Sequence, residues 1–399
     1  MGFNPRRMSA APRKRRVVLL GSTGSIGTST LKVARELPDD LEIVALAAHG
    51  NIEKLAEQAR ETGVHHVAIF DKNQEAALRS LLPSGVTLHL GAEGLNTLAT
   101  LAEADVVLIA IVGTAGLHPA LAAIEAGKDL AIASKEILVM AGEIITTAAQ
   151  RRGVKLLPVD SEHNAIFQCL DGHRGGEAEV AKLILTASGG PFRELPSDQI
   201  ETVTLAQALR HPTWQMGPKI TIDSATLFNK GLEMIEARWL FGIGMDRIDV
   251  IVHPQSIIHS MVEFTDGSVL AQLSHTDMCF PIQYALTWPR RVSGAMRPLD
   301  FAALAKLEFE APRRADFPAL DLARRAGHTG GTLPAVYNAA NEVAVDAFRA
   351  GSLSFPGIWR CVSAVMDRHT VQPSATLESV VAADQWARET SRNFILNPA

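Results

Sequence analysis

The stretch Gly21-Ser22-Thr23-Gly24-Ser25-Ile26-Gly27 decides the fold of the first part of this chain. It directly follows an apolar, β-branched run at residues 17–20 and precedes a helical pattern of apolar residues at 31–37. A dinucleotide-binding loop needs glycines here, because the backbone must turn sharply, approach a pyrophosphate and let the helix pack closely on the strand. The spacing is G-x-x-G-x-x-G rather than the commoner G-x-G-x-x-G, so an ordinary strand-to-helix turn is the alternative.

The sequence around this loop alternates short strand-like runs with helical patterns. β-Branched and apolar runs predict strands at residues 17–20, 43–47, 66–69, 106–110 and 155–159. Strands that alternate with helices form a parallel sheet with helices on both faces. The sequence therefore predicts an α/β domain with a Rossmann-like parallel sheet over residues 17–158, which favours an oxidoreductase that uses a nicotinamide cofactor.

The pattern changes after residue 158, where we predict a central α+β domain over residues 159–288. It contains one strong helix and a loop rich in proline and glycine, and its strand-like runs are residues 183–186, 250–253 and 256–273. Three prolines around a weakly amphipathic stretch indicate a linker over residues 289–312. A C-terminal helical domain over residues 313–399 is predicted from helical patterns at residues 333–350, 355–367 and 377–391.

Composition and charge limit the classes of protein that this chain can be. Its 399 residues are enough for two or three domains. A net charge of −5 argues against a nucleic-acid-binding protein, and no apolar run approaches the roughly eighteen residues of a membrane span. The three cysteines, Cys169, Cys279 and Cys361, are widely spaced and odd in number, so a reducing cytoplasm fits best.

Residues 1–16 form a basic tail that contains no acidic residue. Its charges are Arg6, Arg7, Arg13, Lys14, Arg15 and Arg16. The tail lacks the apolar core of a secretion signal, so we interpret it as solvated and frayed. An organellar targeting peptide is the alternative, although the predicted domain begins at Val17 and leaves little length for one.

The turn after the second predicted strand indicates which nicotinamide cofactor is used. An NAD site usually has an acidic residue there, about twenty residues after the glycines, to bind the ribose 2′-hydroxyl. This turn reads Ala47-Ala48-His49-Gly50-Asn51 and has no carboxylate to repel a 2′-phosphate. NADP is therefore favoured over NAD. Partners for that phosphate could be His49, Asn51 and Lys54, each of which could equally be a surface turn residue.

Carboxylates gather at two places in the central domain. Asp160 and Glu162 follow a strand and would face the same way in an extended chain, at the carboxyl edge where such sheets bind ligands. Residues 223–226 are predicted to begin a helix on which Asn229, Lys230 and Glu233 share one face. Three carboxylates with oxygen-rich neighbours suit Mg²⁺ or Mn²⁺ rather than zinc. A capped helix with a solvated charged face is the alternative.

Two loops of the central domain have the composition of ligand-binding segments. The loop at residues 188–193, Ser-Gly-Gly-Pro-Phe-Arg, ends a strand with exposed backbone suited to a phosphate, and a plain glycine turn is the alternative. The loop at residues 211–219 contains Trp214 among prolines and suggests a lid that excludes water, unless the tryptophan only pins the loop to the core. Lys135 follows an apolar run, and by itself it would be interpreted as a surface residue.

Taken together, these motifs closely resemble the 1-deoxy-D-xylulose 5-phosphate reductoisomerase family. The resemblance runs in order from the glycine loop through Ala133-Ser134-Lys135-Glu136 and the segments 157–163, 188–193, 211–217 and 224–233 to the segments 253–259 and 334–342. It covers nearly the whole chain after residue 16. The resemblance implies a homodimer that converts 1-deoxy-D-xylulose 5-phosphate, a phosphosugar, to 2-C-methyl-D-erythritol 4-phosphate in non-mevalonate isoprenoid biosynthesis.

The resemblance also implies roles for individual residues. The metal ligands are Asp160, Glu162 and Glu233. Substrate contacts are implied for Lys135, Ser161, Glu162, Ser188, His211, Trp214, Ser224, Asn229, Lys230 and Glu233. NADPH contacts are implied for Thr23, Gly24, Ser25, Ile26, Ser134, Glu136 and Gly217, and we expect further contacts from the turn residues Gly50 and Asn51. We expect Lys135, Glu162 and Glu233 to be catalytic, with Glu162 in proton transfer at a substrate hydroxyl and a bound water as its competitor. The metal is expected to be Mg²⁺ or Mn²⁺, with Co²⁺ as a further candidate.

Two departures from the family pattern bear on the cofactor site. His49-Gly50 stands where many members have glycine and then a basic or small residue, and Ser134 stands where asparagine is common. Both affect the expected affinity for NADPH rather than the type of cofactor. Two other classes of protein remain compatible with the glycine loop alone, namely another NADP-dependent dehydrogenase, such as a semialdehyde or homoserine dehydrogenase, and a non-catalytic nucleotide sensor.

Overall fold

The computed structural model describes residues 13–173, 176–373 and 376–396. Within these residues the chain has a seven-stranded sheet, a four-stranded sheet and a C-terminal group of helices. The fold class predicted from the sequence is therefore confirmed. Most of the basic tail, residues 1–12, lies outside the described residues.

The first sheet is entirely parallel, with strand order β4-β3-β2-β1-β5-β6-β7. Its strands are β1 Arg15–Leu20, β2 Leu41–Ala48, β3 His66–Ile69, β4 Thr87–Leu90, β5 Val106–Ile109, β6 Asp129–Ile132 and β7 Leu156–Pro158. The direction of winding reverses between β1 and β5. A parallel sheet opens a ligand-binding crevice at the carboxyl ends of such a strand pair.

Helices cover both faces of this sheet. They are α1 Ser25–Glu36, α2 Ile52–Thr62, α3 Glu75–Leu81, α4 Gly91–Ala99, α5 Leu117–Glu125 and α6 Lys135–Arg152. Val17 and Leu19 pack into the apolar cluster that contains α1, whereas Val18 and Leu20 pack into the cluster that contains α5. Because both faces of the sheet are buried, the sequence of strand β1 is a continuous apolar run rather than an alternating one.

The sequence reading of this domain needs three corrections. Strand β1 begins at Arg15, and Arg15 and Arg16 pair with Asp129 and Asp105, so these two residues belong to the sheet and not to a frayed tail. Strand β4 was not predicted, because its His89 and Thr87 interrupt the apolar pattern. Strand β6 was not predicted either, since a four-residue buried run cannot be distinguished by periodicity from the start of a helix.

The second sheet is mixed, with strand order β11-β10-β8-β9, in which only β8 and β9 run parallel. The helices and strands of this part of the chain are, in order, α7 Ser161–Leu170, β8 Val180–Ala187, α8 Leu205–Ala208, α9 Pro218–Ala225, α10 Phe228–Phe241, β9 Ile248–Val252, β10 Ile258–Phe264, β11 Val269–Leu273 and α11 Cys279–Thr287. Helix α10 packs against α6 of the first domain. This contact brings the start of α6 beside the middle of α10.

The remaining helices are α12 Phe301–Leu304, α13 Ala319–Thr329, α14 Leu333–Arg349, α15 Gly357–Arg368 and α16 Leu377–Leu396. Helix α14 lies centrally and contacts α13, α15 and α16. Helix α13 was not predicted. Before it, Glu310 and Val252 exchange backbone hydrogen bonds of 2.9 Å, so the predicted linker extends the edge of the second sheet. In the described part of the chain, no helix is both long and apolar enough to cross a membrane.

Candidate active site

A cavity of about 570 Å³ lies between the carboxyl edge of the first sheet and the second sheet. It extends from the start of α1, at Ser25 and Ile26, to the end of β8, at Ser188. Its walls contain both acidic and basic side chains, including Asp160 and Lys230. The cavity therefore connects the predicted nucleotide loop with the predicted phosphate-binding loop.

Three carboxylates meet at the centre of this cavity. One oxygen atom from each of Asp160, Glu162 and Glu233 lies within 4.8 Å of the others. The prediction of a cluster is correct, but its geometric reason is wrong, because Glu162 lies in the first turn of α7 and not in an extended strand. Asp160 is the N-cap of that helix, and its Oδ1 accepts a hydrogen bond of 3.2 Å from the Glu162 backbone N–H.

Two buried lysines lie among these carboxylates. Lys135 Nζ is 2.7 Å from Asp160 Oδ2 and 2.9 Å from Glu233 Oε1, and it donates to Asn229 Oδ1 at 2.8 Å. Lys230 Nζ is 2.7 Å from Glu162 Oε1 and also contacts Glu233. Lys135 is thus not the surface residue that its local sequence suggests, because the packing of α6 on α10 encloses it.

The protonation of the cluster follows from its burial and its charges. Burial and the neighbouring Glu233 raise the pKa of Glu162 to about 7. Burial also disfavours ionisation of Asp160, but Lys135 and His163 together outweigh this effect and hold the pKa of Asp160 well below its usual range. Three carboxylates against two ammonium groups leave an excess of one negative charge when all are ionised. An all-oxygen cluster with excess negative charge fits a hard divalent cation such as Mg²⁺ or Mn²⁺.

Helix α10 presents Asn229, Lys230 and Glu233 on one face, as predicted. Asn229 Nδ2 and Lys230 Nζ both donate to the carboxylate of Glu233, one turn further along. The predicted start of this helix is wrong, because Asp223 and Ser224 belong to the end of α9. Leu227, with φ of 63°, separates the two helices in the left-handed region. The resulting bend directs Ser224 and Asn229 into the same cavity.

The predicted phosphate-binding loop forms a polar pocket with the start of the lid. His211 Nε2 lies 3.0 Å from Ser188 Oγ and 3.1 Å from Ser224 Oγ. His211 Nδ1 accepts from the Trp214 backbone N–H at 2.9 Å, so the ring proton is on Nε2, facing the two serines. Burial lowers the pKa of His211 to about 4, which keeps the ring neutral at pH 7.

Backbone conformation and close packing explain why this loop contains two glycines. Gly189 and Gly190 have φ of 82° and 66°, in the left-handed region that favours glycine. A Cβ on Gly190 would lie 3.0 Å from the Ala225 Cα, so the loop also requires a small residue to pack on α9. The loop is therefore more than a plain turn, since it positions the Ser188 hydroxyl beside Ser224.

The predicted lid is shorter than expected, because Pro218 begins α9 and leaves residues 211–217 as the loop. Trp214 lies over the cavity with its ring edge toward His259, at a centroid distance of 6.2 Å. The ring is only partly buried, unlike a tryptophan that anchors a loop in a core. The composition of this loop and the position of Trp214 together favour a loop that covers the cavity.

The nucleotide loop connects β1 to α1, and close contacts within the protein require glycine at two of its positions. Gly21 has φ of 98°, and a Cβ there would lie 2.4 Å from the Ala110 carbonyl oxygen. A Cβ on Gly27 would lie 2.3 Å from the Gly21 carbonyl oxygen. Gly24, the N-cap of α1, has its nearest such contact at 3.5 Å, so the protein itself leaves room for a side chain there. This space is consistent with the close approach of a ligand.

The turn after β2 is held by its own side chains. Asn51 Oδ1 caps α2 by accepting from the Lys54 backbone N–H at 3.2 Å. Lys54 Nζ donates to the Thr23 carbonyl at 2.9 Å and to Thr28 Oγ1 at 3.1 Å. Lys54, which the sequence offers as a partner for a 2′-phosphate, therefore lies on the glycine loop in this structure.

The cavity brings together most residues that the sequence singled out. Those that line it are Ser25, Ile26, Lys135, Asp160, Ser161, Glu162, Ser188, His211, Trp214, Gly217, Ser224, Asn229, Lys230 and Glu233. Six residues predicted to contact the cofactor are outside its lining, namely Thr23, Gly24, Gly50, Asn51, Ser134 and Glu136. Of these, Ser134 donates to the Ile111 carbonyl at 2.6 Å, and Glu136 pairs with Lys219 at 3.2 Å.

Several residues of the site were not assigned a role from the sequence. Ser256, His259, Asp277 and Met278 line the cavity, and the buried pair His163 and Glu236 lies beside the carboxylates. Two signals in the sequence pointed to some of them, namely the unusual polar residue His259 within an alternating strand and the family resemblance of segments 157–163 and 253–259, which contain His163, Ser256 and His259. Burial lowers the pKa of His259 to about 4, so this ring is also neutral at pH 7.

Comparisons with known proteins agree along the whole chain. The sequence model of 1-deoxy-D-xylulose 5-phosphate reductoisomerase matches residues 17–142, and two models of C-terminal domains of that enzyme match residues 156–241 and 273–390. The reductoisomerase of Symbiobacterium thermophilum is 54% identical over 95% of this chain and 98% of its own length. The reductoisomerase of Pelotomaculum thermopropionicum is 51% identical over 93% of this chain and 96% of its own length.

Solved structures of the same enzyme have the same fold. The reductoisomerase of Zymomonas mobilis in complex with NADPH superposes with a TM-score of 0.90 at 44% identity, covering 96% of this chain and all of that one. A reductoisomerase in complex with NADPH, fosmidomycin and magnesium gives a TM-score of 0.90 at 38% identity, covering 96% and 98%. On its sequence and its fold, this chain belongs to the 1-deoxy-D-xylulose 5-phosphate reductoisomerase family.

Proposed function

We propose that this protein converts 1-deoxy-D-xylulose 5-phosphate to 2-C-methyl-D-erythritol 4-phosphate, by a rearrangement of the carbon skeleton and a reduction that depend on NADPH and a divalent metal. This reaction serves the non-mevalonate synthesis of isoprenoid precursors. The observation that carries the proposal is the cluster of Asp160, Glu162 and Glu233 in a cavity that continues to the glycine loop of α1. An ordinary NADP-dependent dehydrogenase has no need of this cluster.

The three clustered carboxylates are the groups that would hold Mg²⁺ or Mn²⁺. When bound, the cation supplies a Lewis acid that polarises a substrate carbonyl and stabilises negative charge on its oxygen. Lys135 Nζ, which is 2.7 Å from Asp160, adds a second positive charge at the same end of the cavity.

Glu162 is the group that we propose for proton transfer at a substrate hydroxyl. Its carboxylate lines the cavity, where a general acid or base must lie within hydrogen-bonding reach of the substrate. Ser161 Oγ donates to Glu162 Oε2 at 2.6 Å and orients that carboxylate toward the cavity. A bound water is the competing proton acceptor.

The opposite end of the cavity suits the substrate phosphate. Ser188 and Ser224 offer hydroxyl donors, the neutral His211 offers its Nε2–H, and Lys230 and Asn229 line the path from there to the carboxylates. Binding of the phosphate at this remote point provides free energy for closing the lid. Trp214 then covers the reacting end and excludes water.

The first sheet provides the proposed NADPH site. The N-terminus of α1 and the residues Thr23, Gly24, Ser25 and Ile26 suit the pyrophosphate, and no acidic residue stands in the turn at Gly50 and Asn51 to repel a 2′-phosphate. Ser134, Glu136 and Gly217 lie on the segments that join this crevice to the cavity. NADPH supplies the hydride for the reduction.

We also propose that the protein is a homodimer and functions in the cytoplasm. Strand β11 is the edge of the second sheet, and its Val269 and Leu270 are 49% and 44% exposed. An apolar strand edge of this kind is a natural surface for pairing with a second copy. The three cysteines are buried and unpaired, which suits a reducing compartment.

The most direct test combines the purified protein with NADPH, Mn²⁺ and 1-deoxy-D-xylulose 5-phosphate and follows absorbance at the nicotinamide band. We expect oxidation of NADPH that requires all three components and stops when a chelator is added. Oxidation that persists with the chelator would favour an ordinary dehydrogenase. Binding of NADPH without any turnover would favour a nucleotide sensor.

A further inference from the structure

A second acidic residue of α10 is buried without a conventional partner. Glu236 lies one turn after Glu233 and is 0% exposed. Among the residues that the structure describes, neither oxygen of its carboxylate has a hydrogen-bond partner. Within the same residues, its one cationic neighbour within 4 Å is His163, whose Nδ1 is 3.3 Å from Glu236 Oε2. A buried carboxyl group without a hydrogen-bond partner costs free energy, so its contact with His163 needs an explanation.

His163 connects Glu236 to the carboxylate cluster. Its Nε2 lies 2.9 Å from the backbone carbonyl oxygen of Glu233, and its Nδ1 lies 3.3 Å from Asp160 Oδ1 as well as from Glu236. Each ring nitrogen therefore faces only oxygen acceptors. The ring therefore bridges the side chains of Asp160 and Glu236 and the backbone of Glu233.

The position of this ring affects two of the three proposed metal ligands. It contacts the side chain of Asp160 and the backbone of Glu233, while neither His163 nor Glu236 lines the cavity. A rotation of the ring would remove both contacts at once. Outer groups of this kind commonly fix the orientation of metal-binding side chains.

We propose that Glu236 is a positioning residue, which holds the His163 ring between the two helices and thereby places Asp160 and Glu233 for binding the divalent cation. This inference rests on the proposed function, because it assumes that the cluster binds metal. Glu236 does not line the cavity, so it would act through His163 rather than on the substrate. A purely structural ion pair is the alternative, and it would contribute to folding stability without changing the affinity for metal.

The first test measures the dissociation constant of Mn²⁺ by electron paramagnetic resonance in Glu236→Gln, which keeps the size of the side chain and replaces its carboxyl group by an amide. We expect affinity for Mn²⁺ to weaken on the order of tenfold, as for other outer groups of metal sites, with NADPH affinity unchanged. The matched control is Val362→Ala, a buried change in α15, a helix that packs mainly on α14 and α16, and we expect it to lower the melting temperature and to leave Mn²⁺ affinity unchanged. Mn²⁺ affinity within twofold of the wild type in folded Glu236→Gln would overturn the proposal.

The second test asks whether Glu236 acts through His163. We expect His163→Gln to weaken Mn²⁺ binding at least as much as Glu236→Gln does. The double variant should bind Mn²⁺ with the same affinity as His163→Gln alone, because the effects of residues in one network are not additive. Independent, additive losses would overturn the proposal. If Glu236→Gln does not fold, His163→Gln alone decides, and unchanged Mn²⁺ affinity in that variant overturns it.

Glu233→Gln separates failure of this inference from failure of the proposed function. If Glu233→Gln abolishes Mn²⁺ binding while Glu236→Gln leaves it unchanged, the metal site stands and only the positioning role falls. If Glu233→Gln binds Mn²⁺ like the wild type, the cluster is not the metal site, and both proposals fall.

Discussion

Lys230 Nζ lies 2.7 Å from Glu162 Oε1, although 68 residues separate the two along the chain. This ion pair and the one between Lys135 and Asp160 supply the cluster with its own positive charges. Carboxylates this close repel one another in a buried site, and the two ammonium groups offset that repulsion when no metal is present. The fold can therefore assemble the cluster before a divalent cation binds.

The first prediction tests the role of the cluster in turnover. Glu233→Gln removes one proposed ligand and the negative charge between the two lysines. We expect metal-dependent turnover to fall by at least about 100-fold while NADPH binding remains nearly intact, because the nucleotide loop is on another domain. Steady-state kinetics with varied Mg²⁺ and a binding titration with NADPH measure the two effects. Glu143→Gln, an exposed change on α6, is the control. Unchanged activity of Glu233→Gln at saturating Mg²⁺ would contradict the metal assignment.

The second prediction concerns the lid. Trp214→Ala removes the side chain that covers the cavity, so substrate affinity and turnover should each fall by about tenfold or more, which is 1.4 kcal/mol. The melting temperature should change little, because Trp214 packs against none of the apolar core clusters of the described residues. Trp359→Ala is the matched control, since that ring is also only partly buried but packs on the core residues Phe317 and Phe355, and its loss should cost about 3 kcal/mol of stability. A drop in melting temperature for Trp214→Ala as large as for the control would favour a packing role instead.

The third prediction separates the glycines of the nucleotide loop. Gly24→Ala has room in the protein, so it should fold normally but weaken NADPH binding by at least about tenfold, because its methyl group meets the ligand. Gly21→Ala should instead lower the free energy of unfolding by about 1–3 kcal/mol, because φ of 98° and the Ala110 carbonyl both oppose a Cβ. Fluorescence titration with NADPH and urea denaturation distinguish the two. Equal effects of both substitutions on stability would contradict this assignment.

The fourth prediction concerns pH. Burial lowers the pKa of His259 to about 4, below its unfolded value of roughly 6.5. The unfolded chain then binds more protons between these values, so the stability due to the neutral ring is present above pH 6.5 and is lost as pH falls toward 4. His259→Gln should make the free energy of unfolding less dependent on pH, by up to about 3 kcal/mol across this window. Urea denaturation at several pH values measures it, and parallel curves for the two proteins would contradict the prediction.

Much of the architecture could be predicted from local sequence, because periodicity and turn residues report on burial. The apolar run at β1 and the helical spacing of α14 are signals of this kind. The cluster of acidic residues could be predicted as a set, but its geometry could not. Asp160 and Glu162 converge because Asp160 caps α7, and whether a strand ends in an extended residue or in a helix cap depends on packing that spacing alone does not report.

The buried neighbours of the site could not be predicted for a different reason. His163 and Glu236 meet across 73 positions of sequence, and each looks like an ordinary polar helix residue in its own segment. Lys135 is similar, since only its contact with α10 encloses it. Contacts between elements that are far apart in the sequence determine these environments, and the local sequence pattern does not indicate such contacts.

The separation of Lys135 from its partner Glu233 has a consequence for how the chain is made. The two residues are 98 positions apart, so a ribosome that adds about 5–20 residues per second exposes Lys135 several seconds before Glu233 appears. During that interval Asp160, which follows Lys135 by 25 positions, is the acidic partner that can already pair with its ammonium group. The arrival of α10 then adds Glu233 to a pair formed within the earlier part of the chain, so we expect this electrostatic contact to favour the docking of α10 on α6.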